Sequence, residues 1–200
     1  PEFFSGADAI GVQNSVGTIV EHNLLVRGAH GGIVFNGTVK CNYRYNILDN
    51  MVNNTQDYGA IYGGGKALRG NKICYNLIMN TGKGAAYGIY VDECGAGQEI
   101  FGNIFFNAGA HAVTLNGGRE NNIYDNICIN TDGNDLLMSN SGMYQLILDG
   151  TPELGIEHQT YTNLVAERAP IDSAGYEIWY NTFPEVYDFA VVKQDLKAIG

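Results

Sequence analysis

A chain of 200 residues, of which 45% are hydrophobic, is long enough to bury one substantial core. The formal net charge is −10, with 11 Lys and Arg against 21 Asp and Glu; this disfavours nucleic acids and anionic membrane surfaces as partners and weakens the case for a polyanionic substrate. No apolar run approaches the roughly 18 residues of a membrane span, so no membrane-spanning segment is expected.

A short pattern recurs through the first two thirds of the chain. It consists of an apolar residue, two variable residues, Asn, two apolar residues and a variable residue, and four of its five copies close on a second Asn. Successive copies are offset by 23, 30, 27 and 23 residues, and an internal period of this length is typical of a solenoid. The first Asn of each copy is Asn23, Asn46, Asn76, Asn103 and Asn126.

Each copy is followed by another short apolar run, at residues 32–35, 60–62, 88–91 and 112–115, with a weaker run at 136–137. The runs are rich in β-branched and aromatic residues, are too short for helices and are bounded by Gly, Asn and Asp, so they indicate strands. Stacked strands lie about 4.8 Å apart, so one Asn per turn is expected to form a ladder of amides that bond one another. The sequence therefore predicts an all-β fold, a parallel β-helix solenoid of about five to six turns.

The repeat fails after about residue 140, which predicts a parallel β-helix over residues 1–140 and a C-terminal extension over residues 141–200. Because a solenoid needs a cover on its open end, we expect the extension to form an irregular, partly helical cap. Residues 1–18 read as the tail of an earlier turn. The chain opens on Pro1 rather than Met, so we expect a fragment, and the lack of a signal peptide carries little information.

The four cysteines, at positions 41, 74, 94 and 128, form no CxxC motif. Cys74 and Cys128 lie inside the repeat at different offsets from its Asn, so they do not stack as a ladder. We expect the cysteines to be buried as small apolar side chains. A disulfide that involves Cys41 or Cys94 is the alternative, and the count does not identify the cellular compartment.

Alignment of the second apolar run of each turn predicts which of its side chains face inwards and which face outwards. Outward positions place Tyr62 and Tyr90 as two stacked rings on neighbouring turns and, further along, Asn36, Asp92 and Asn116 in a row. An aromatic platform beside carboxylate and amide groups suits a sugar, whose C–H faces stack on rings while its hydroxyls take polar partners. The alternative is an ordinary polar β-surface. The positions expected to face inwards are Ile33, Ile61, Ile89 and Val113.

Carboxylates are candidates for catalysis because glycoside hydrolysis usually uses two of them. Asp92 and Glu93 adjoin at the end of one strand, and Asp57 precedes the strand of the turn before. The alignment separates Asp57 from Asp92 by about seven positions at roughly 3.3 Å each, which is wider than the roughly 5–10 Å of a catalytic pair. Either the insertion folds Asp57 back, or Asp92 pairs with Glu93 or another group. A turn cap is the alternative role for Asp57.

Three further side chains are candidates for substrate contacts. His30 and His111 sit near the entry of their strands and are suited to acid–base work. Arg119 follows Asn-Gly-Gly and is placed to hold a hydroxyl or carboxylate, or else to form a surface ion pair of small energy. The histidines lack the matched spacing of a zinc site, so we expect neither a metal nor a cofactor.

Six segments resemble, in their order, the right-handed parallel β-helix repeat proteins of the pectate-lyase-like superfamily. More narrowly, they are similar to bacterial β-helix glycoside hydrolases of the fucosidase and xylanase type. The segments are GIVFNG at 32–37, DYGAIYGG at 57–64, RGNKICYN at 69–76, GIYVDE at 88–93, FGNIF at 101–105 and GGRENNIYDNI at 117–127. The resemblance implies a right-handed coil, action on polysaccharide, secretion or display at the cell surface, and paired acidic residues that map onto Asp57, Asp92 and Glu93.

Three functions follow from the residues and the resemblance. The first is a glycoside hydrolase that acts on a polysaccharide or oligosaccharide through paired carboxylates. The second is a polysaccharide lyase or epimerase on uronic-acid polymers, which would use a Lys or Arg base and often calcium, although no acidic cluster of calcium type is apparent. The third is a non-catalytic carbohydrate-binding or surface module, because a solenoid fold alone does not imply catalysis.

Overall fold

The computed structural model describes residues 7–64, 68–93, 95–118 and 120–139, together with Asn181. The chain divides into two units, Pro1–Ser141 and Gly142–Gly200, and the features below belong to the first. Apart from Asn181, the predicted C-terminal cap at residues 141–200 lies outside the described residues. Across the described ranges, no helix is long and apolar enough to cross a membrane.

Short strands form three parallel sheets in the described residues. Sheet A has six strands: β1 (Ile10–Val16), β4 (Ile33–Val39), β7 (Tyr58–Gly63), β10 (Ala86–Val91), β13 (His111–Asn116) and β16 (Leu136–Ser139). Sheet B has five strands: β2 (Ile19–Glu21), β5 (Asn42–Arg44), β8 (Lys72–Cys74), β11 (Glu99–Phe101) and β14 (Asn122–Tyr124). Sheet C has five strands: β3 (Leu24–Val26), β6 (Ile47–Asp49), β9 (Leu77–Met79), β12 (Ile104–Phe106) and β15 (Ile127–Ile129).

The chain visits the sheets in the order B, C, A and repeats this path five times after β1. Each strand pairs in parallel with the corresponding strand one turn later, so the architecture is a parallel β-solenoid of about five turns. The predicted fold is thereby confirmed. For the described part of residues 1–18, the expected tail of an earlier turn is observed, because β1 pairs with β4 as the sheet A strand of a preceding turn.

The core consists of columns of inward apolar side chains from the three sheets, as the alternation of strand side chains requires. In sheet A, Ile33, Ile61 and Ile89 pair in register and are fully buried. The corresponding position of the next turn, Val113, is also buried. Sheet B contributes the ring of Tyr43, which stacks on that of Phe35 with centroids 4.5 Å apart.

The repeated Asn forms the predicted ladder at the corner between sheets B and C. The side-chain amide of Asn46 donates to Asn76 Oδ1 at 3.0 Å, and that of Asn76 donates to Asn103 Oδ1 at 3.0 Å. The same amide groups reach back to the preceding turn, where Asn76 donates to the carbonyl of Tyr43 at 2.9 Å. The side chains of these three Asn are buried, and the ladder supplies the hydrogen bonds that buried polar groups require.

Two left-handed residues per turn explain the bends on either side of sheet C. The residue before each ladder Asn has a positive φ, for example +55° at Tyr45 and +56° at Tyr75. The second Asn of the repeat also has a positive φ, as at Asn80 (+51°) and Asn107 (+51°). Asn tolerates this conformation better than most residues, which explains why the repeat closes on Asn.

A second amide ladder, which was not predicted from the sequence, lies at the corner between sheets A and B. The amide of Asn71 donates to Gln98 Oε1 at 3.1 Å, and the Gln98 backbone N–H donates to Asn121 Oδ1 at 2.9 Å. Asn71 and Gln98 are fully buried. The ladder was not recognisable as a repeat because its members differ in type.

The extra residues of the longer turns fall next to sheet A. The corner between sheets B and C has two residues in all five turns. By contrast, the loop from sheet C to sheet A varies from four residues (107–110) to eight (50–57). Length variation on one side of a solenoid often marks its binding side, so sheet A is the face to inspect for a site.

The described cysteines, Cys41, Cys74 and Cys128, are free thiols. Cys41 and Cys74 are buried, as expected for small apolar fillers, and Cys128 is half-buried. The alternative of a disulfide at Cys41 is therefore wrong in this structure, and Cys94 lies outside the described residues.

Candidate functional site

Six aromatic rings from four turns form a continuous row beside sheet A. His30 and Tyr58 have ring centroids 3.7 Å apart, and Tyr58 stacks on Tyr62 at 4.1 Å. Tyr62 meets Tyr90 edge to face at 5.4 Å, and Tyr90 meets Tyr87 at 5.0 Å. His111 closes the row by stacking on Tyr87 at 5.6 Å. We call this set the sheet A aromatic row.

The predicted pair Tyr62 and Tyr90 is in register, but its geometry differs from the expectation. The two rings are at 86° to each other rather than stacked, and Tyr62 stacks on Tyr58 instead. Tyr90 is only 5% exposed because the rings of Tyr62 and Tyr87 contact it from two sides. The prediction that Tyr90 faces solvent is therefore wrong, and the accessible rings are Tyr58, Tyr62 and Tyr87, each half-buried.

Asp92 joins the aromatic row to the polar groups at the end of β10. Its Oδ2 accepts a hydrogen bond from the Tyr62 hydroxyl at 2.8 Å, and its Oδ1 accepts one from the Asn116 amide at 2.9 Å. Oδ1 also accepts the backbone N–H of Glu93 at 2.7 Å. The structure thus brings together three of the predicted site residues, Tyr62, Asp92 and Asn116, from three successive turns.

The tyrosines around Asp92 are held in their neutral form. Burial raises the pKa of Tyr62, and the hydrogen bond to Asp92 and the charges of Asp92 and Glu93 raise it further. Burial also raises the pKa of Tyr90, as do the charges of Asp92 and Asp57, while a hydrogen bond with Asn116 lowers it. A neutral phenol keeps its proton, so Tyr62 remains a hydrogen-bond donor to Asp92.

Glu93 lies beside this cluster, whereas Asp57 lies at the other end of the strands. Glu93 is exposed, and its charge acts on the Tyr62 hydroxyl. Asp57 is also exposed. Burial raises the pKa of Tyr87 and of Tyr90, and the charges of Asp57 and Asp92 raise both further. Tyr58 pairs with Ala86, so the backbone of Asp57 is level with residue 85, seven positions before Asp92 along the strand direction.

An acidic residue that sequence reasoning missed completes the row at His30. Asp8, just before β1, has its Oδ1 2.5 Å from His30 Nδ1, and the same oxygen accepts the backbone N–H of Gly31 at 3.2 Å. Burial and the charge and hydrogen bond of Asp8 raise the pKa of Tyr58. Asp8 lies before the first recognisable repeat, so the sequence offered no register in which to place it.

The remaining predicted residues lie further from Asp92. His111 Nδ1 is 3.0 Å from the backbone nitrogen of Asn134, at the far end of the row. Asn36 is exposed on β4, and the aligned position of the next turn, between it and Asp92, is Gly64. Arg119 lies outside the described residues. Among the described side chains, no group of three or more His, Cys, Asp or Glu is arranged to hold a metal ion.

Comparisons of the chain with protein-family models, with curated proteins and with solved structures found no match. The resemblance to β-helix glycoside hydrolases is therefore supported at the level of the solenoid fold alone. Function has to be argued from the side chains of the site, because the same fold hosts many activities.

Proposed function

We propose that this protein is a carbohydrate-active β-solenoid that binds a saccharide chain along the sheet A aromatic row and hydrolyses a glycosidic bond beside Asp92. The observation that carries the proposal is the junction of an aromatic row with a hydrogen-bonded carboxylate, formed where the Tyr62 hydroxyl meets Asp92 at 2.8 Å. Polysaccharide is met mainly outside the cell, so secretion or surface display is part of the same proposal.

Saccharide binding is supported by the shape and chemistry of the row. The half-buried rings of Tyr58, Tyr62 and Tyr87 offer apolar surface on neighbouring turns, and such rings pack against the C–H faces of sugars. Asn116 and the imidazoles of His30 and His111 supply donors and acceptors for hydroxyl groups. Four carboxylates, Asp8, Asp57, Asp92 and Glu93, border the row, so an uncharged sugar is a better ligand there than an acidic one.

Asp92 and Glu93 are the candidate carboxylates for hydrolysis. Asp92 accepts three hydrogen bonds from Tyr62, Asn116 and the Glu93 backbone, an arrangement that suits an ionised group acting as base or nucleophile. Glu93 is exposed and close enough to act on the Tyr62 hydroxyl, so it is the candidate proton donor to the leaving oxygen. Asp57, whose backbone lies seven positions before Asp92 along the strands and whose charge acts on Tyr87, is assigned to substrate contacts near Tyr87.

A non-catalytic carbohydrate-binding module is the second candidate, and one observation favours it. Both oxygens of Asp92 already accept hydrogen bonds from the protein, which is also the arrangement of a carboxylate that only fixes its neighbours. In that case Asp92 would hold Tyr62 and Asn116 in place, and the row would bind sugar without chemistry.

The test is a screen for reducing-sugar release over neutral and acidic glycans, with sugar binding measured on the same samples. Asp92→Asn and Glu93→Gln are expected to lower release by about 10²-fold or more, while Tyr62→Ala weakens binding. Asp57→Asn serves as a matched carboxylate change and is expected to leave catalysis on bound substrate within about tenfold. Thermal unfolding of each variant verifies that it is folded.

Each other outcome selects a different function. Binding without release by the parent protein would replace the hydrolase with the binding module. Release of an unsaturated, ultraviolet-absorbing product would identify a lyase. Release that survives in both Asp92→Asn and Glu93→Gln would remove this pair from catalysis, and the absence of both binding and release on every glycan would overturn the proposal.

A further inference from the structure

A groove lies on the outer face of sheet B, on a different sheet from the sheet A aromatic row. It has a volume of about 640 Å³, which lies within the range of small-molecule sites, roughly 300–1,000 Å³. Its walls come from the three central strands β5, β8 and β11. The thiol-bearing side chain of Cys74 is buried although it lines the groove.

The groove gathers positive charge in a chain that is strongly acidic overall. Three cations, Lys40, Arg44 and Lys72, line it with Glu99, and Glu21 pairs with Arg44, which leaves cations in excess although the whole chain has 11 Lys and Arg against 21 Asp and Glu. Cations that line one concave surface focus their field there and attract anions. The sheet A aromatic row, bordered by four carboxylates, has the opposite character.

The ion pairs in the groove are of a kind that an anionic ligand can replace. Arg44 Nε lies 2.8 Å from Glu21 Oε2, and Lys72 Nζ lies 3.2 Å from Glu99 Oε2. The side chains of Arg44 and Lys72 are 37% and 49% exposed, and ion pairs of this exposure contribute little to stability. A ligand carboxylate or sulfate can therefore replace Glu21 and Glu99 as the partner of these cations with little loss of folding stability.

Two aromatic rings border the same groove. Tyr75 is 48% exposed, and its ring meets that of Phe101 edge to face at 5.3 Å. The ring of Tyr75 lies over Gly102, where an added Cβ would come within 2.5 Å of it, so the missing side chain of Gly102 leaves room for the ring beside the groove. Cations next to exposed rings fit a ligand that has both a negative charge and an apolar face.

We propose that the sheet B groove binds an anionic sugar unit, in which a carboxylate or sulfate contacts Arg44 and Lys72 and the sugar ring packs on Tyr75. The proposal concerns a different face from the sheet A site and does not depend on catalysis there. It gives one solenoid two saccharide surfaces of opposite charge preference, which suits a polymer with neutral and acidic units.

The test is isothermal titration calorimetry with a hexamer of galacturonic acid, the same hexamer as its methyl ester, and a sulfated galactan hexamer. The acidic hexamer is expected to bind, and its methyl ester to bind at least about tenfold more weakly, because the ester cannot form charge-assisted hydrogen bonds. Comparison of the carboxylated and sulfated hexamers identifies which anion the groove prefers.

Two double variants that remove the same charge distinguish specific binding in the groove from a general effect of net charge. Arg44→Gln with Lys72→Gln is expected to weaken binding about tenfold to a hundredfold. Arg27→Gln with Lys83→Gln removes the same charge from exposed positions outside the groove and is expected to leave affinity within about twofold. Tyr75→Ala should weaken binding of the hexamer but not of inorganic sulfate, because only a sugar ring packs on Tyr75.

Three results would overturn the proposal. They are no binding of either anionic hexamer by the parent protein, equal binding of the hexamer and its methyl ester, and equal losses in the two double variants. The two double variants also distinguish this site from the sheet A site, because Arg44 and Lys72 line the sheet B groove.

Discussion

At the scale of single residues, the same amide side chain contributes differently to stability at different corners of the solenoid. Asn76 is buried and bonds both neighbouring turns, to the carbonyl of Tyr43 and to the amide of Asn103. It also accepts the backbone N–H and the side-chain amide of Asn46. Asn130, at an exposed corner, makes one side-chain hydrogen bond, to Asn107. Burial decides the difference, because water can replace the partner of Asn130 but not those of Asn76.

Replacement of Asn76 by Ala should therefore lower the free energy of unfolding by about 2–4 kcal/mol, since it leaves several buried donors and acceptors without partners. The matched change Asn130→Gly, which keeps the positive φ accessible, should cost less than about 1 kcal/mol. Urea denaturation followed by circular dichroism measures both. Equal losses in the two variants would mean that the buried hydrogen bonds of Asn76 contribute no more to stability than the exposed hydrogen bond of Asn130.

At the scale of strands, the strand position of a residue was easier to predict from the sequence than the contacts of its side chain. The register of Ile33, Ile61 and Ile89 follows from the repeat and is observed as predicted, because one period of Asn fixes where each turn begins. The burial of Tyr90 could not be predicted in the same way. It depends on where the ring of Tyr87 turns, and the period carries no information on side-chain rotamers.

The candidate site divides along the same line. Asp92 and Asn116 fall on neighbouring turns by register, and the structure joins them by a hydrogen bond. Asp8 lies before the first repeat and was invisible to the period, although it lies 2.5 Å from His30. Repeats therefore give the strand on which a residue lies, while contacts made by loop residues require the coordinates.

The close spacing of strands in sheet A gives a test at this scale. An added Cβ at Gly88 in β10 would come within 2.5 Å of the Ala112 carbonyl oxygen and 2.8 Å of the Phe105 ring, whereas at Gly11 in β1 it would meet nothing within 4 Å. Gly88→Ala should destabilise the protein by about 2–3 kcal/mol through overpacking. Gly11→Ala should change stability by less than about 1 kcal/mol.

Thermal unfolding of the two Gly→Ala variants measures this difference. A Gly88→Ala variant as stable as the parent would show that β10 and β13 separate easily, and the hydrogen bonds between the strands would then be expected to lengthen without loss of the fold.

At the scale of the whole molecule, the solenoid is built from turns that make equivalent contacts with their neighbours. Asn126 follows Asn103 by 23 positions, so removal of residues 99–121, also 23 residues, takes out one complete turn. The strand β14 can then pair with β8, as β11 does in the parent protein, and Asn126 can accept from Asn76. Stability in such arrays is close to a sum over turns and their interfaces.

We expect the protein without residues 99–121 to fold cooperatively, with a lower stability and a shallower dependence on urea because less surface is exposed on unfolding. Removal of residues 99–109 alone should prevent folding, because it would bring part of a sheet A strand to the sheet B corner and break the amide ladder. Circular dichroism and urea titration distinguish the two. Cooperative folding of the half-turn deletion would contradict the idea that turns are the units of this fold.

The amide ladder also has a direction. In every turn from Asn23 to Asn103, the Asn backbone N–H and side-chain amide donate to the Oδ1 of the next Asn along the chain. Each corner therefore obtains acceptors for these donors from residues that are synthesised 23 to 30 positions later. A chain that emerges from the ribosome with its N-terminus first would always carry one incomplete corner at its growing end. Folding would then follow translation one turn behind, with water completing each corner until its successor arrives.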